Sequence, residues 1–446
     1  MLNHRSYLAL AIPLIISTIT TPLLGAVDTA VVGQLPNPAY IGAVAVGAMI
    51  FNTMYWLFGF LRVSTSGFAA QAHGANDNLQ GMLAFMRPFL IAIAVGIGFI
   101  LFQRPIEYAA LALINPASDV RVFVSDYFNI RIWGVPFTLL NYVILGWLMG
   151  VSMIKVSLML QVFMNLMNIA LDLLFVHVFS WAVSGVAIAT LLSEVTASII
   201  GLMIIWKASP VELKFPPLKE VFDMVSLKKM MTVNRDLFIR TLCLLTVFNL
   251  FTAKGASFGT EVLAANAVLI QIHYMIAYLF DGFANASSIL VGKAIGGKDV
   301  SLYKKTLKLS CQWAVFSSLL IAGIYYLFSE GMIRLFTRIP AVMELADTYG
   351  AWLILFPLAA SFGIILYGIF TGATEAAPVR NSMILALMVY LIVQFTAIPN
   401  MNNHGLWLAF IAFSLGRSVF LAMYVPRLTR KLFFQREVEE GRIKNV

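Results

Sequence analysis

The sequence predicts an all-α membrane protein with twelve transmembrane helices in two parallel, pseudo-symmetric halves of six. Three observations lead to this fold class. Of the 446 residues, 60% are hydrophobic and 11% are charged, whereas soluble domains carry about 25% charged residues. The apolar stretches are long enough to cross a bilayer. The chain also matches itself at a constant offset, which indicates an internal duplication.

Proline, glycine and charged clusters interrupt the hydropathy and mark the limits of each predicted span. The spans are residues 8–33, 41–72, 84–103, 125–150, 156–179, 183–206, 234–254, 262–292, 309–328, 346–373, 381–398 and 403–425. A polar connector follows the sixth span. The predicted organisation is an N-terminal lobe at residues 1–206, a cytoplasmic linker at 207–232, a C-terminal lobe at 233–426 and a basic cytoplasmic tail at 427–446.

The distribution of Lys and Arg predicts the orientation of the chain. With a cytoplasmic amino terminus, the inner loops and tails hold 21 of the 30 basic residues and the outer loops hold 5. Both termini are therefore expected in the cytoplasm, and the net charge of +9 reflects topology rather than nucleic-acid binding. The first apolar stretch is too long for a signal-peptide core, so no cleavable signal peptide is expected.

An offset of 222 residues aligns the two halves of the chain from Gly33 to Gly150, and a two-residue deletion follows. It places residues 72–77 on residues 294–299, and the spacing Gly146-x3-Gly150 on Gly368-x3-Gly372. Each half has six spans and begins on the cytoplasmic side, so the copies are predicted to be parallel and related by an axis along the membrane normal. Such paired halves are typical of transporters.

One carboxylate, Asp28, lies well inside the first span, where residues 8–33 hold no other acid or base. Placing a carboxylate at that depth costs at least about 2.5–3.5 kcal/mol, so such residues usually mark a substrate, ion or proton path. The alternative is a structural hydrogen bond between helices. The sequence therefore predicts that protonation of Asp28 carries the chemistry of this protein.

Three further polar residues are expected near Asp28. Asn168 and Asp172 share one face of the fifth span because they are four residues apart. Thr190 follows a short outer hairpin on the sixth span. By helical rise, the two acids lie in the outer leaflet at depths within roughly 6 Å of each other. Such a group could take up a proton or coordinate Na⁺ through oxygen atoms; structural hydrogen bonding between helices is the alternative.

Other charged residues inside the predicted spans are weaker candidates. Arg62 lies roughly 20 Å in depth from Asp28 by helical rise, so a direct ion pair between them is not expected. Asp281 and Glu194 lie near the middle of the membrane. Asp281 could form an ion pair with Arg240 or belong to a separate proton route, and structural pairing is favoured.

Two prolines, Pro13 and Pro22, interrupt the hydrogen bonding of the first span and allow it to bend. A bendable helix that carries a titratable acid could act as a switch, because protonation of Asp28 would change its partners. A static kink is the alternative.

Several classes of site are not expected. Cys243 and Cys311 lie in different apolar segments, and the five histidines lack metal-ligand spacing. The segment Gly292–Asp299 resembles a phosphate-binding loop, but Asp replaces the required hydroxyl and no strand precedes it. No cofactor is therefore predicted, and neither a nucleophile–base pair nor a metal motif indicates an enzyme.

Five segments together resemble the DinF branch of the MATE (multidrug and toxic compound extrusion) family, and the resemblance extends over essentially the whole chain. These segments are residues 27–35 (VDTAVVGQL), 61–67 (LRVSTSG), 168–172 (NIALD), 234–242 (NRDLFIRTL) and 277–283 (AYLFDGF).

The resemblance implies a V-shaped transporter with an N-lobe and a C-lobe that expels organic, often cationic and aromatic, compounds in exchange for H⁺ or Na⁺. It implies that Asp28 is the coupling carboxylate, with Asn168, Asp172 and Thr190 as its partners. Tyr127 would lie near the same cavity, and Pro13 would be the bending point. Residues 353–371 hold no acid, so coupling through the C-lobe is not expected.

The leading hypothesis is a multidrug efflux antiporter of the bacterial inner membrane, working by alternating access with H⁺, or Na⁺, as coupling ion. Arg62, Tyr127 and Asp281 are candidate cavity or substrate residues. We expect a monomer that contacts membrane lipids and small organic substrates. A flippase of lipid-linked precursors is the alternative, although that function favours a cavity rich in Arg and Lys.

Overall fold

The computed structural model describes residues 2–32, 37–208 and 216–434, and every regular element in these ranges is helical. The first half contains α1 (His4–Val32), α2 (Pro38–Phe58), α3 (Phe60–Gly74), α4 (Asn78–Leu101), α5 (Gln103–Ile114), α6 (Ser118–Arg131), α7 (Val135–Gly150), α8 (Ile154–Asp172), α9 (Ala182–Ala208) and α10 (Leu218–Val221). The second half contains α11 (Met224–Ala256), α12 (Thr260–Gly296), α13 (Val300–Phe336), α14 (Pro340–Gly372), α15 (Ala376–Ala422) and α16 (Val425–Thr429).

The predicted number of transmembrane helices is confirmed. Ten segments of the described residues are long and apolar enough to cross a membrane. The last of them is broken at Asn402, whose backbone has φ 50° and ψ −126°. Dividing that segment at Asn402 and including α1, which has 29 residues, gives twelve membrane-spanning helices.

The two halves repeat the same close helix contacts at the offset of 222 residues. A Cβ atom on Gly146 in α7 would lie 2.3 Å from the carbonyl oxygen of Arg62 in α3. The equivalent atom on Gly368 in α14 would lie 2.0 Å from the carbonyl oxygen of Ala284 in α12. Both residues of the second contact follow those of the first by 222 positions. The duplication seen in the sequence is therefore also a duplication of helix packing.

The helix after the one that provides the carbonyl oxygen of this contact begins in the same way in both halves. This helix is α4, after α3, in the first half and α13, after α12, in the second. Asp77 accepts a hydrogen bond from the Gln80 amide at the start of α4, at 2.9 Å. Asp299 accepts one from the Leu302 amide at the start of α13, at 2.8 Å. These are N-cap interactions that satisfy free amides of the first helical turn. The segment compared with a phosphate-binding loop is thus a helix end and its cap.

The described residues form two compact units. The first unit consists of the described residues among 16–230 and the second of those among 1–15 and 231–446, so the chain passes from one unit to the other within α1. In the second unit, Tyr7 is fully buried and its hydroxyl lies 2.9 Å from that of Ser287 in α12. In the first unit, Ser17 forms a hydrogen bond with Gln161 in α8. The predicted lobe at residues 1–206 remains a prediction.

The described part of the connector packs against α4 within the first unit. Arg87 in α4 donates hydrogen bonds to the carbonyl oxygens of Glu220 at 2.6 Å and Val221 at 3.2 Å. The flanking helices extend into the interval assigned to the linker, since α9 ends at Ala208 and α11 begins at Met224.

A pair of asparagines holds the break in α15. The side chains of Asn266 in α12 and Asn403 donate to each other, at 2.8 and 3.0 Å, and Trp407 donates to Asn266 at 2.9 Å. All three residues are buried. These bonds satisfy the polar side-chain groups of the three residues beside the break, which would be costly to leave unpaired in an apolar interior.

Candidate polar site of the first unit

Two of the predicted site residues contact each other directly. The Asn168 side-chain amide in α8 donates to the Thr190 hydroxyl in α9 at 3.1 Å, and both residues are buried. Thr190 in turn donates to the carbonyl oxygen of Val186 at 2.9 Å, one turn earlier in its own helix. The hydroxyl therefore accepts from one helix and donates within another, so its orientation is fixed.

Asp172 lies one turn from Asn168 and is the last residue of α8. It is fully buried, with 0% of its surface exposed. Beyond it, residues Leu173–Val178 continue with π-helical hydrogen bonding, an irregularity that is frequent at functional sites. A buried carboxylate thus lies one helical turn from the amide that binds Thr190.

Asp28 belongs to α1, whose backbone is helical from His4 to Val32, but its side chain lies outside the described residues. The same holds for the side chain of Pro22. Pro13 lies within the same continuous helix, so the proposed bending at Pro13 and Pro22 remains a prediction, as does the convergence of Asp28 with the other polar residues.

Arg62 lies in a second polar cluster of the first unit. Its guanidinium is 3.5 Å from the Ser17 hydroxyl and 3.4 Å from the sulfur of Met149. The Gln161 amide donates to the carbonyl oxygen of Ser17 at 3.1 Å. Asp28 follows Ser17 by eleven residues, or about 16 Å of helical rise. This spacing supports the expectation that Arg62 does not pair with Asp28.

Tyr127 is buried against α2 rather than open to water, with 3% of its surface exposed. A Cβ atom on Gly47 in α2 would lie 2.4 Å from the Tyr127 ring. The glycine therefore makes room for the ring, which also lies 6.1 Å from the ring of Phe51, centroid to centroid.

A buried ion pair lies one helical turn beyond Tyr127 in α6 and Thr190 in α9. Arg131 in α6 binds Glu194 in α9 through two hydrogen bonds, at 2.8 and 3.0 Å. The exposed fractions of the two residues are 4% and 8%. The guanidinium carbon of Arg131 lies 5.3 Å from the ring centroid of Phe51 and 5.6 Å from that of Tyr55. The positive charge of Arg131 is thus stabilised by a carboxylate and by the faces of two aromatic rings.

The same family matches both halves of the chain. Residues 13–174 and residues 237–396 each match the MatE family. The chain belongs to the MatE family. The double match agrees with the repeated helix contacts, and the resemblance predicted from the sequence is confirmed.

Individual relatives agree with this assignment. The chain is 35% identical over 413 residues to the DNA damage-inducible protein F of Escherichia coli, covering 93% of this chain and 90% of the relative. It is 23% identical to the multidrug resistance protein MdtK of Pectobacterium atrosepticum, covering 97% and 96%. The bent form of the Vibrio cholerae MATE transporter VcmN has the same fold, with a TM-score of 0.84 at 16% identity and coverage of 96% and 97%.

Membership of the MatE family makes this chain a multi-pass membrane protein and a secondary transporter rather than an enzyme. Such transporters need no cofactor. Within the described ranges, no group of three or more His, Cys, Asp or Glu side chains is placed to hold a metal ion. The predicted Na⁺ ligands include the undescribed Asp28 side chain, so that ligand set remains a prediction.

Arg131 and its pairing with Glu194 are features of the polar site that were not predicted from the sequence. A signal was nevertheless present in the spacing. Arg131 follows Tyr127 by four residues, and Glu194 follows Thr190 by four residues. Residues at this spacing share a helix face, so both charges extend the polar faces already identified.

In the second unit of this MatE protein, Asp281 is half-buried and interacts electrostatically with Tyr278, Tyr367 and Arg417. The ion pairs found between described residues do not include Asp281 with Arg240. Arg240 instead lies over Tyr367, with its guanidinium carbon 4.5 Å from the ring centroid.

Proposed function

We propose that this protein is a multidrug efflux antiporter that exports organic, often cationic and aromatic, compounds in exchange for H⁺, with Na⁺ as the alternative coupling ion. Its relatives support the broad assignment, because they include a protein named for multidrug resistance. The observation that carries the proposal is the fully buried carboxylate of Asp172, one turn from the Asn168–Thr190 hydrogen bond.

The proposed proton exchange follows from the burial of the Asp172 carboxylate. A carboxylate in an apolar interior favours its protonated form, and a second acid nearby favours it further. In the proposed site, Asp28 is the second acid. Ionised Asp28 would bind the cationic substrate, and a proton entering from outside would neutralise the carboxylate and weaken that binding. The two events then exclude each other, which is the condition for exchange.

The shape change is proposed to occur in α1. This helix contains Pro13 and Pro22, and the chain passes between the two compact units between residues 15 and 16 of the same helix. A structural relative has been solved in a bent form. We propose that protonation of Asp28 changes the packing of α1 around these prolines and so alternates access to the cavity.

Transport by the purified protein in proteoliposomes tests this function. A fluorescent aromatic cation is offered under an imposed proton gradient, and separately under a Na⁺ gradient. Asp28→Asn is expected to abolish gradient-driven transport while the protein still folds, whereas Asp119→Asn, an exposed acid at the start of α6, should transport normally. Wild-type transport by Asp28→Asn would refute the assignment of the coupling residue.

The same vesicles separate the antiporter from the flippase. A lipid-linked precursor that crosses the bilayer without any ion gradient, while the cation does not, would replace the proposed function with the alternative.

A further inference from the structure

Two arginines and one acid of the second unit lie on three different helices and interact electrostatically. Arg240 in α11 and Arg417 in α15 are both only partly buried, and Arg417 interacts electrostatically with Arg240 and with Asp281 in α12. Guanidinium groups stay charged at any physiological pH. With Asp281 ionised, the group therefore retains one excess positive charge inside a membrane-spanning unit.

Neither Arg240 nor Arg417 forms a close ion pair with an acid in the described part of the chain. The ion pairs within 4.0 Å that this part contains include a buried one at Arg131, but none at Arg240 or Arg417. The buried Nε atom of Arg240 has no hydrogen-bond partner among the described residues. Arginine in a membrane interior is costly and normally pairs with an anion or lines a functional cavity.

One tyrosine ring contacts Arg240, and two more lie on the face of α12 that carries Asp281. The guanidinium of Arg240 lies over Tyr367, 4.5 Å from its ring centroid. Tyr274, Tyr278 and Asp281 lie on one face of α12, because they follow each other by four and three residues. All three tyrosines are half-buried, so they can still receive a ligand.

A packed aromatic cluster supports these rings. His273 is buried and lies 4.1 Å from Phe356 and 4.9 Å from Phe410 between ring centroids. The ring of Phe248 lies 5.2 Å from that of Tyr274. The cluster therefore continues the aromatic surface of α12 at Tyr274, and an aromatic surface with a few charged groups is the combination that binds a flat apolar group with a charged end.

We infer that Arg240, Arg417 and Tyr367 form an oxyanion subsite for the carboxylate or sulfonate of an amphipathic aromatic compound. The planar guanidinium forks bind two oxygens of such a group at once, and the tyrosines hold its apolar body. This site lies in the other unit from the proposed cation site. It extends the ligands of the protein to organic anions and does not depend on the coupling assigned to Asp28.

Direct binding tests this inference. The full-length protein is placed in nanodiscs of zwitterionic lipid, and the anisotropy of fluorescein, an aromatic carboxylate, is titrated against empty nanodiscs. The double variant Arg240→Gln/Arg417→Gln is expected to weaken binding at least about tenfold, because charge-assisted hydrogen bonds are lost. Arg334→Gln, which removes an exposed arginine paired with Glu330, should bind as the wild type does.

Two further variants separate binding from folding. Asp281→Asn removes the negative charge near the arginines and should strengthen fluorescein binding several-fold. Arg240→Lys keeps the charge but loses the fork, so binding should fall to a value between the wild type and the double variant. Equal affinity in the wild type and a folded double variant would overturn the inference, as would weaker binding by Asp281→Asn.

A lipid phosphate presents the same kind of oxyanion to the arginines. A second experiment therefore distinguishes a lipid from a small molecule as the ligand. Nanodiscs that contain phosphatidylglycerol should leave fluorescein binding unchanged. Displacement of fluorescein by this lipid, together with arginine-dependent lipid retention in native mass spectrometry, would make a lipid the occupant and overturn the assignment to a small molecule. Failure of cation transport would refute the proposed function and leave these binding results standing.

Discussion

Asn168 and Thr190 illustrate how a residue of this protein depends on a partner far away in the sequence. Their side chains are buried, and the amide of Asn168 donates a hydrogen bond to the hydroxyl of Thr190 at 3.1 Å. Hydrogen bonds between membrane helices contribute modestly, because the unfolded chain in the membrane also finds partners.

A double-mutant cycle with Asn168→Ala and Thr190→Val should measure this bond. We expect a coupling of about 0.6–1.7 kcal/mol in the free energy of unfolding. The control combines Asn168→Ala with Thr196→Val, a half-buried residue on the same helix as Thr190 whose hydroxyl bonds within its own helix, and should be additive to within about 0.5 kcal/mol. Equal coupling in both cycles would show that the Asn168–Thr190 bond does not act as a specific pair.

Arg131 and Glu194 have a stronger mutual dependence, because each would otherwise be a buried charge. Glu194→Gln should lower the free energy of unfolding by about 3–5 kcal/mol, since it leaves the guanidinium without its counter-ion. Replacing both residues by Met should cost less than this single change. Reversible unfolding in detergent measures both values, and a larger loss in the double variant would contradict the prediction.

At the scale of helices, α12 and α14 touch through glycine. A Cβ atom on Gly368 would lie 2.0 Å from the carbonyl oxygen of Ala284, whereas one on Gly323 in α13 would meet nothing within 4 Å. Gly368→Ala should therefore destabilise the protein by at least about 1–3 kcal/mol through overpacking.

Gly323→Ala is the matched control and should be neutral, or stabilising by up to about 1 kcal/mol, because alanine favours the helix. Thermal unfolding of the two variants side by side measures the difference. Two variants of equal stability would mean that the close approach of α12 and α14 is not needed.

For the whole molecule, the charge distribution predicts the orientation in the membrane. Single cysteines are introduced at Ser118 and at Gln80, both exposed, in a background lacking Cys243 and Cys311. A membrane-impermeant maleimide should label Ser118→Cys in intact cells and label Gln80→Cys only after permeabilisation. The reverse pattern would place both termini outside.

The sequence by itself determined the transmembrane helices, the duplication and the family, because hydropathy, helix length and a constant offset are local or periodic properties. It also identified Asn168 and Thr190 as members of one polar site. It did not anticipate the short helices α5 and α16, or the reach of α11 back to Met224.

Only the tertiary structure decided which groups meet: Arg131 with Glu194, Asn266 with Asn403, and Arg240 with the ring of Tyr367. In water, an apolar stripe marks the buried face of a helix. In a bilayer, lipid is as apolar as the protein interior, so composition does not mark which face of a helix meets its neighbour. Close packing at positions such as Gly368 sets that rotation, and with it the partners of the buried charges.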